Sequence, residues 1–261
     1  MADRSWLARG WPVHCPDRAG VVVATDIDNF WAAARAKLNL SAHQLHEVPA
    51  EPNLLVVLNL VEFVHEHVAY PIPRERHSYY GHTHLDFDGP EGKTRFRSDI
   101  NDLFRRYALA YQLGDDGVII RLAPDEIHAQ LVDAVFSTGD NTLDGLLNTA
   151  RKKYLSPNPT ERREGLEKLW DALERLKTIT AGKDKKAQIT ALIESAYADE
   201  DTRNRFNTEF NELTAIGNKY NIRHFEKDKL AIPDDAFVDW LFPRCYSAIH
   251  AILDKTGRVK H

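Results

Sequence analysis

Apolar residues recur at helical spacing over most of this 261-residue chain. In the first half the spacing predicts helices at residues 29–38, 54–68 and 94–110. The second of these is apolar all round, which is typical of a central core helix. Asp26 or Asp28 can cap the first through a side-chain oxygen.

Two further segments of the first half do not have helical spacing. Residues 111–122 place Asp116-Gly117 between runs of β-formers, which predicts a β-hairpin. Residues 71–91 are rich in histidine, glycine and aromatic residues and begin with prolines that end the preceding helix. They are therefore predicted to form a loop.

From Pro124 onward almost every segment is predicted to be helical. The clearest helix has Asn158 as its N-cap, Pro159 in the first position and Glu161 in the third, which is a capping-box pattern. Its apolar residues follow one helical face and predict packing against other helices. These residues are Leu166, Leu169, Trp170, Leu173, Leu176 and Ile179.

Three more helices are predicted after this one. They cover residues 187–198, 201–216 and 237–253. Gly217 stands where a left-handed cap would end the second of them. Pro243 must kink or split the last helix, because proline has no backbone N–H to donate.

Together these elements predict a mostly α protein in two parts. The first, residues 1–139, is a small α+β domain with one β-hairpin, and the second, residues 140–261, is a helical bundle. The boundary lies near residues 139–141, with residues 155–159 as the alternative.

Composition and charge narrow the class of protein. The net charge of −5 argues against a general basic coat for nucleic acid but allows a local basic patch. Residues 53–70 are too often interrupted by polar residues to predict a membrane span, and the first thirty residues lack a signal-peptide pattern. Two cysteines, Cys15 and Cys245, predict free thiols in a reducing cytoplasm.

A short basic segment at residues 218–229 carries the first candidate site. A guanidinium can clamp a phosphate, and an imidazole can exchange protons near neutral pH. The alternative to a functional site is a solvated loop between helices with alternating charges. The candidate catalytic residues are His224, Arg223 and Asn218, and the candidate nucleic-acid-binding residues are Lys219, Lys227 and Lys229.

Residues 218–226, between a helix ending at 212–216 and the apolar helix 241–253, resemble the C-terminal region of bacterial abortive-infection proteins. Those regions resemble helical domains of the HEPN superfamily (higher eukaryotes and prokaryotes nucleotide-binding). The first half is similar to the N-terminal domain of AbiJ-type abortive-infection proteins. The segments that carry this second resemblance are residues 82–88, 96–101, Tyr107 and 111–119.

The resemblance implies a cytoplasmic antiphage defence protein whose HEPN-like bundle cleaves RNA without a metal or cofactor. It also implies a homodimer, RNA as a partner, and a phage-derived or defence-operon protein as a further partner. The family hallmark is an Arg separated from a later His by four to six residues, and residues 217–219, where that Arg would precede His224, hold none. Arg244 and His250 do have this spacing, but such matches arise readily by chance. A non-enzymatic nucleic-acid or protein-binding sensor or adaptor is therefore the alternative.

A second constellation lies in the loop predicted at residues 71–91. Alternating imidazoles and carboxylates can gather metal ligands from one extended segment, but zinc sites usually take ligands from two segments, and no second cluster is evident. The sequence therefore predicts an aromatic and polar packing loop with no metal. The residues concerned are His77, His82, His84, Asp86 and Asp88.

The last predicted helix has apolar residues on more than one face, more than a single core-facing stripe requires. Either the N-terminal domain or a second chain must cover the surplus, and the resemblance favours a homodimer. The residues are Phe237, Trp240, Leu241, Phe242, Tyr246, Ile249, Ile252 and Leu253.

Overall fold

The computed structural model describes residues 4–40, 53–180, 183–223 and 229–260, apart from the side chains of Arg4 and Glu126. The chain divides into two compact units, Met1–Arg121 and Leu122–His261. Within the described residues, no helix combines the length and apolar character that a membrane crossing requires. The prediction of a mostly helical protein is confirmed.

The N-terminal unit contains three helices, two small antiparallel sheets and a short 3-10 helix at Arg4–Leu7 among its described residues. Strand order in the larger sheet is β1-β2-β4-β3. Its elements are β1 (Pro12–His14), β2 (Val22–Thr25), α1 (Ile27–Leu38), α2 (Leu54–His67), β3 (Tyr70–His77), β4 (His82–Asp88), α3 (Gly89–Arg106), β5 (Tyr111–Leu113) and β6 (Ile119–Arg121).

The prediction of a loop at residues 71–91 is wrong, because this segment forms the antiparallel hairpin β3–β4 and the start of α3. β3 lies at the edge of the sheet, where Pro71 and Pro73 are tolerated because an edge strand leaves some N–H groups unpaired. Asp88 then caps α3 by accepting a hydrogen bond from the Glu91 N–H at 3.0 Å. The predicted β5–β6 hairpin is confirmed, and β3–β4 is a second hairpin that the sequence does not predict.

Helix α2 supplies apolar side chains to two core clusters of this unit. Phe63 packs with Phe30 and Ala34 of α1, whereas Leu58 packs with side chains from α3, β5 and β6. The helix is central as predicted, although Leu54 and Val57 on its outer side are exposed.

Glu62, on the same helix, ties α2 to the β5–β6 hairpin. Its carboxylate accepts a hydrogen bond from the Ile119 N–H at 2.6 Å. Burial raises the pKa of Glu62 above its ordinary value, against the lowering effect of that hydrogen bond. Folding therefore favours the protonated acid.

The C-terminal unit is a helical bundle closed by a two-stranded pair. Its elements are α4 (Asp125–Asp133), β7 (Val135–Phe136), α5 (Asn141–Tyr154), α6 (Pro159–Leu176), α7 (Lys185–Ala196), α8 (Glu200–Lys219), α9 (Asp235–Lys255) and β8 (Val259–Lys260).

The unit begins at Leu122, earlier than the boundary predicted at residue 139. The reason is that α4 and β7 pack with the bundle. β7 pairs with β8 near the end of the chain, and the Tyr246 hydroxyl donates to the Gln130 carbonyl at 2.7 Å. These contacts join residues far apart in sequence, so no local pattern reports them.

The apolar stripe of α6 is the centre of the bundle, as predicted, with Trp170 only 3% exposed. Gly217 has a different role from the predicted cap, since α8 continues to Lys219. A Cβ atom at position 217 would overlap the Trp170 indole. Glycine is therefore needed there for close packing of α8 against α6.

Helix α9 is one continuous helix through Pro243, which excludes the predicted split. Its apolar faces are covered by α4, α6, α7 and α8 of its own unit. The dimer prediction considers only the N-terminal domain or a second chain as the cover. Only Phe237 and Trp240 of the eight apolar residues remain outside the buried set, and Trp240 is 49% exposed. This coverage removes the packing argument for a dimer, and the dimer that the resemblance implies stays a prediction.

Trp170→Ala should lower the free energy of unfolding by about 3–5 kcal/mol, because it leaves a large cavity at the centre of the bundle. The matched control is Trp240→Ala on the same unit, which should cost far less because that indole is half-exposed. Denaturant titration measures both. Equal losses for the two variants would contradict the central position of Trp170.

Glu62→Gln should change stability in a pH-dependent way. The raised pKa means that the folded state holds its proton to higher pH than the unfolded state, so native stability falls as pH rises from about 4. The variant lacks this loss, and its melting temperature relative to native protein should be higher at pH 7 than at pH 4. A difference that is the same at both pH values would contradict this.

Candidate metal centre

The basic segment at residues 218–229 is described in part. Asn218 and Lys219 are exposed at the end of α8, and Arg223 and Lys229 lie on either side of the undescribed stretch. Two of the predicted site residues, His224 and Lys227, lie outside the described residues.

The two ends of this segment are pinned side by side. The Leu230 N–H donates to the Lys219 carbonyl at 3.0 Å, and the Asn221 N–H donates to the Leu230 carbonyl at 2.8 Å. The Asn221 amide also donates to the Lys229 carbonyl at 3.1 Å. The backbone positions of Lys219 and Lys229 are thereby close to each other.

Arg223, which is expected to handle phosphate, and Arg244, which has the family spacing to His250, both have carboxylate partners. Arg223 Nε lies 2.7 Å from an Asp171 carboxylate oxygen. Arg244 makes two hydrogen bonds to Glu209, at 2.7 and 3.0 Å, which tie α9 to α8. A phosphate would have to compete with these ion pairs, so the geometry adds little to the predicted phosphate clamp.

A more complete site lies in the N-terminal unit. One cysteine and three histidines there each offer a ligand atom, and these four atoms all lie within 4.8 Å of one another. The residues are Cys15, His77, His82 and His84.

The three histidines meet because of the β3–β4 hairpin. His82 and His84 are two residues apart and share one face of β4. His77 is the register partner of His82, so its side chain stands on the same face. The turn between them closes at Gly81, whose φ of 72° suits glycine.

Cys15 comes from a different segment, the connection between β1 and β2. Its N–H donates to the Val21 carbonyl at 2.8 Å, which closes this connection. The connection reaches β3, where Arg18 pairs with Glu75 at 2.7 Å. Cys15 Sγ lies 3.4 Å from His77 Nδ1 as a result.

The spacing of the donor atoms suits a tetrahedral ion. Zinc bonds of about 2.3 Å to sulfur and 2.0–2.1 Å to nitrogen place neighbouring ligand atoms roughly 3.3–3.6 Å apart. The distance between Cys15 Sγ and His77 Nδ1 already has this value. The other donor atoms, which lie within 4.8 Å, need to move inward by about an ångström at most.

Two imidazole nitrogens of this group, Nε2 of His82 and Nε2 of His84, are buried and have no hydrogen-bond partner among the described residues. Leaving a buried polar atom unpaired costs about 1–3 kcal/mol, so such atoms usually have a partner. Burial, then the nearby His77 and His84, lower the pKa of His82. A lower pKa favours the neutral ring, whose lone pair a metal requires.

The two aspartates in the predicted constellation have other roles. Asp86 pairs with Arg74 at 2.7 Å, and Asp88 caps α3. The sequence pattern does not identify Cys15, which lies 62 residues before His77 and in no recognisable motif. The sequence predicts no metal because no second segment with ligands is evident there. Cys15 supplies such a segment in the structure, the connection between β1 and β2.

Comparison with protein-family models, curated proteins and solved structures finds no match to this chain. The functional inference therefore depends on the geometry of the site.

Proposed function

We propose that the N-terminal unit binds one zinc ion through Cys15, His77, His82 and His84, and that the ion has a structural role. The observation that carries this proposal is the pair of buried, unpartnered Nε2 atoms of His82 and His84 beside a thiol and a third imidazole. A metal ion would satisfy both nitrogens at once.

The donor set favours zinc over other common ions. Imidazole and thiolate are ligands of zinc, whereas magnesium and calcium prefer oxygen. Four protein ligands complete a tetrahedron and leave no position for substrate, which is typical of a structural site.

The ion would connect parts of the sheet that share few backbone contacts. β2 and β4 have a single register pair, Val22 with Leu85, at the centre of the sheet. A metal bound by Cys15 and the three histidines would join the β1–β2 connection to the β3–β4 hairpin directly. Its binding free energy then stabilises the fold.

Elemental analysis of protein purified without a histidine tag or chelator should find about one zinc ion per chain. His82→Ala combined with His84→Ala should abolish this zinc, because it removes two of the four donors. Asp86→Asn is the matched control and should retain the ion, since Asp86 pairs with Arg74. Protein that neither contains zinc nor takes it up on titration would overturn the proposal.

Removing the ion should also lower the stability of the N-terminal unit. Free zinc at a thousand times its dissociation constant adds about 4 kcal/mol to the free energy of unfolding. Thermal unfolding with and without chelator measures the difference, which should be reversed by added zinc and be missing in the double histidine variant. A melting temperature that does not respond to zinc argues against a structural role.

For the C-terminal unit, we propose the RNA-directed role in antiphage defence that the resemblance implies, carried by a HEPN-like bundle. Its support is the resemblance together with the backbone contacts that hold Lys219 and Lys229 next to each other. His224 would exchange the proton, assisted by Arg223 and Asn218, and Lys227 would add to the basic surface. The alternative is a non-enzymatic sensor or adaptor that uses the same loop to bind nucleic acid or protein.

Incubation with total RNA or tRNA separates these two roles. Cleavage that is lost in His224→Ala supports the enzyme, whereas binding without cleavage supports the sensor or adaptor. Lys219→Ala with Lys229→Ala should weaken RNA binding, and the exposed Lys255→Ala is the charge-matched control. Metal independence is better tested with the double histidine variant than with EDTA, which also competes for the proposed zinc. If the native chain neither binds nor cleaves RNA, the RNA-directed role is wrong.

A further inference from the structure

A carboxylate next to the proposed metal site contacts two of its ligands at once. Asp17 Oδ1 accepts a hydrogen bond from the Cys15 thiol at 2.9 Å, and Asp17 Oδ2 lies 3.4 Å from His77 Nε2. Asp17 follows Cys15 by two residues, on the same β1–β2 connection. It is outside the group of four donors itself.

The contacts divide the two nitrogens of His77 between different partners. Nδ1 lies 3.4 Å from the Cys15 sulfur, whereas Nε2 lies 3.4 Å from Asp17 Oδ2. A neutral imidazole carries its proton on one nitrogen only, and a carboxylate at Nε2 favours the proton there. The lone pair is then on Nδ1, where the ion would bind.

The other two histidines have the opposite arrangement. Their buried, unpartnered nitrogens are both Nε2. His77 is thus the ligand whose binding atom differs, and Asp17 is the side chain placed to enforce the difference. This pattern gives the carboxylate a specific task at the site.

We infer that Asp17 is a positioning residue of the metal centre, which holds His77 as the Nε2–H tautomer so that Nδ1 binds the ion. This inference rests on the proposed zinc site and deepens it. A thiolate bound to metal has no proton to donate, so Asp17 then has His77 as its hydrogen donor. The arrangement is a carboxylate–histidine–metal relay, in which the carboxylate fixes the ring and raises the basicity of its ligand nitrogen.

Asp17 is itself held in place by its neighbour in sequence. The Arg18 guanidinium donates to Glu75 on β3 at 2.7 Å, which anchors the connection next to His77. The Asp17 side chain is 46% exposed, so water partly screens its effect. We therefore expect the lower end of the 10- to 100-fold range that loss of such a partner causes.

The test is zinc affinity, measured by competition with a chromophoric chelator on the full chain. Asp17→Ala should weaken zinc binding about tenfold. Asp86→Asn is the matched control and should leave the affinity unchanged, because it removes another carboxylate of the same sheet that has Arg74 as its partner. Unchanged affinity in Asp17→Ala, with the native chain binding zinc, overturns the role of Asp17 and leaves the proposed site intact. No zinc binding by the native chain overturns both.

A second measurement separates positioning from a general effect on folding. Long-range ¹H–¹⁵N correlation spectra of the zinc-loaded chain should show His77 protonated at Nε2 and metal-bound at Nδ1, with His82 and His84 bound through Nε2. Asp17→Ala should disturb the His77 pattern while its unfolding temperature in excess chelator matches that of the native chain. Binding of His77 through Nε2 in the native chain would contradict the inference.

Discussion

A buried polar atom needs a partner, and two buried imidazole nitrogens of the N-terminal unit, Nε2 of His82 and of His84, lack one within the described part of the chain. His82 and His84 are placed side by side by the alternation of β4, and His77 joins them through the hairpin register. Cys15, brought from another segment, completes the group. The β1–β2 connection and the β3–β4 hairpin meet at these four side chains, so an ion bound there would link the two parts of the sheet.

The two units obtain their stability in different ways. The C-terminal unit buries a continuous apolar core, in which α6 packs against α5 and α9 and Trp170 lies against Gly217. The N-terminal unit divides its apolar residues between two smaller clusters on α2, and two of the four strands in its larger sheet, β1 and β2, are short. A small sheet with little core of its own gains most from a metal crosslink.

Much of the fold is readable from local patterns. Asn158 with Pro159 marks the start of α6, Asp26 that of α1, and Asp116-Gly117 the β5–β6 turn, because caps and turns depend on neighbouring residues alone. The edge strand β3 is not readable in this way, since its prolines are tolerated only because of its position in the sheet.

Local sequence patterns also identify only part of the candidate site. Three of its ligands lie in one alternating segment and are visible in the sequence. The fourth, Cys15, depends on a long-range contact that has no local signal. Gly217 is similar, because its small size matters only next to Trp170 on another helix.

X-ray absorption at the zinc edge tests the proposed zinc site, because it reports the atoms bound to the ion. The spectrum should show one sulfur at about 2.3 Å and three nitrogens at about 2.0–2.1 Å in a four-coordinate shell. A shell of oxygen atoms, or one without sulfur, would contradict the assignment of Cys15 and the three histidines as the ligands.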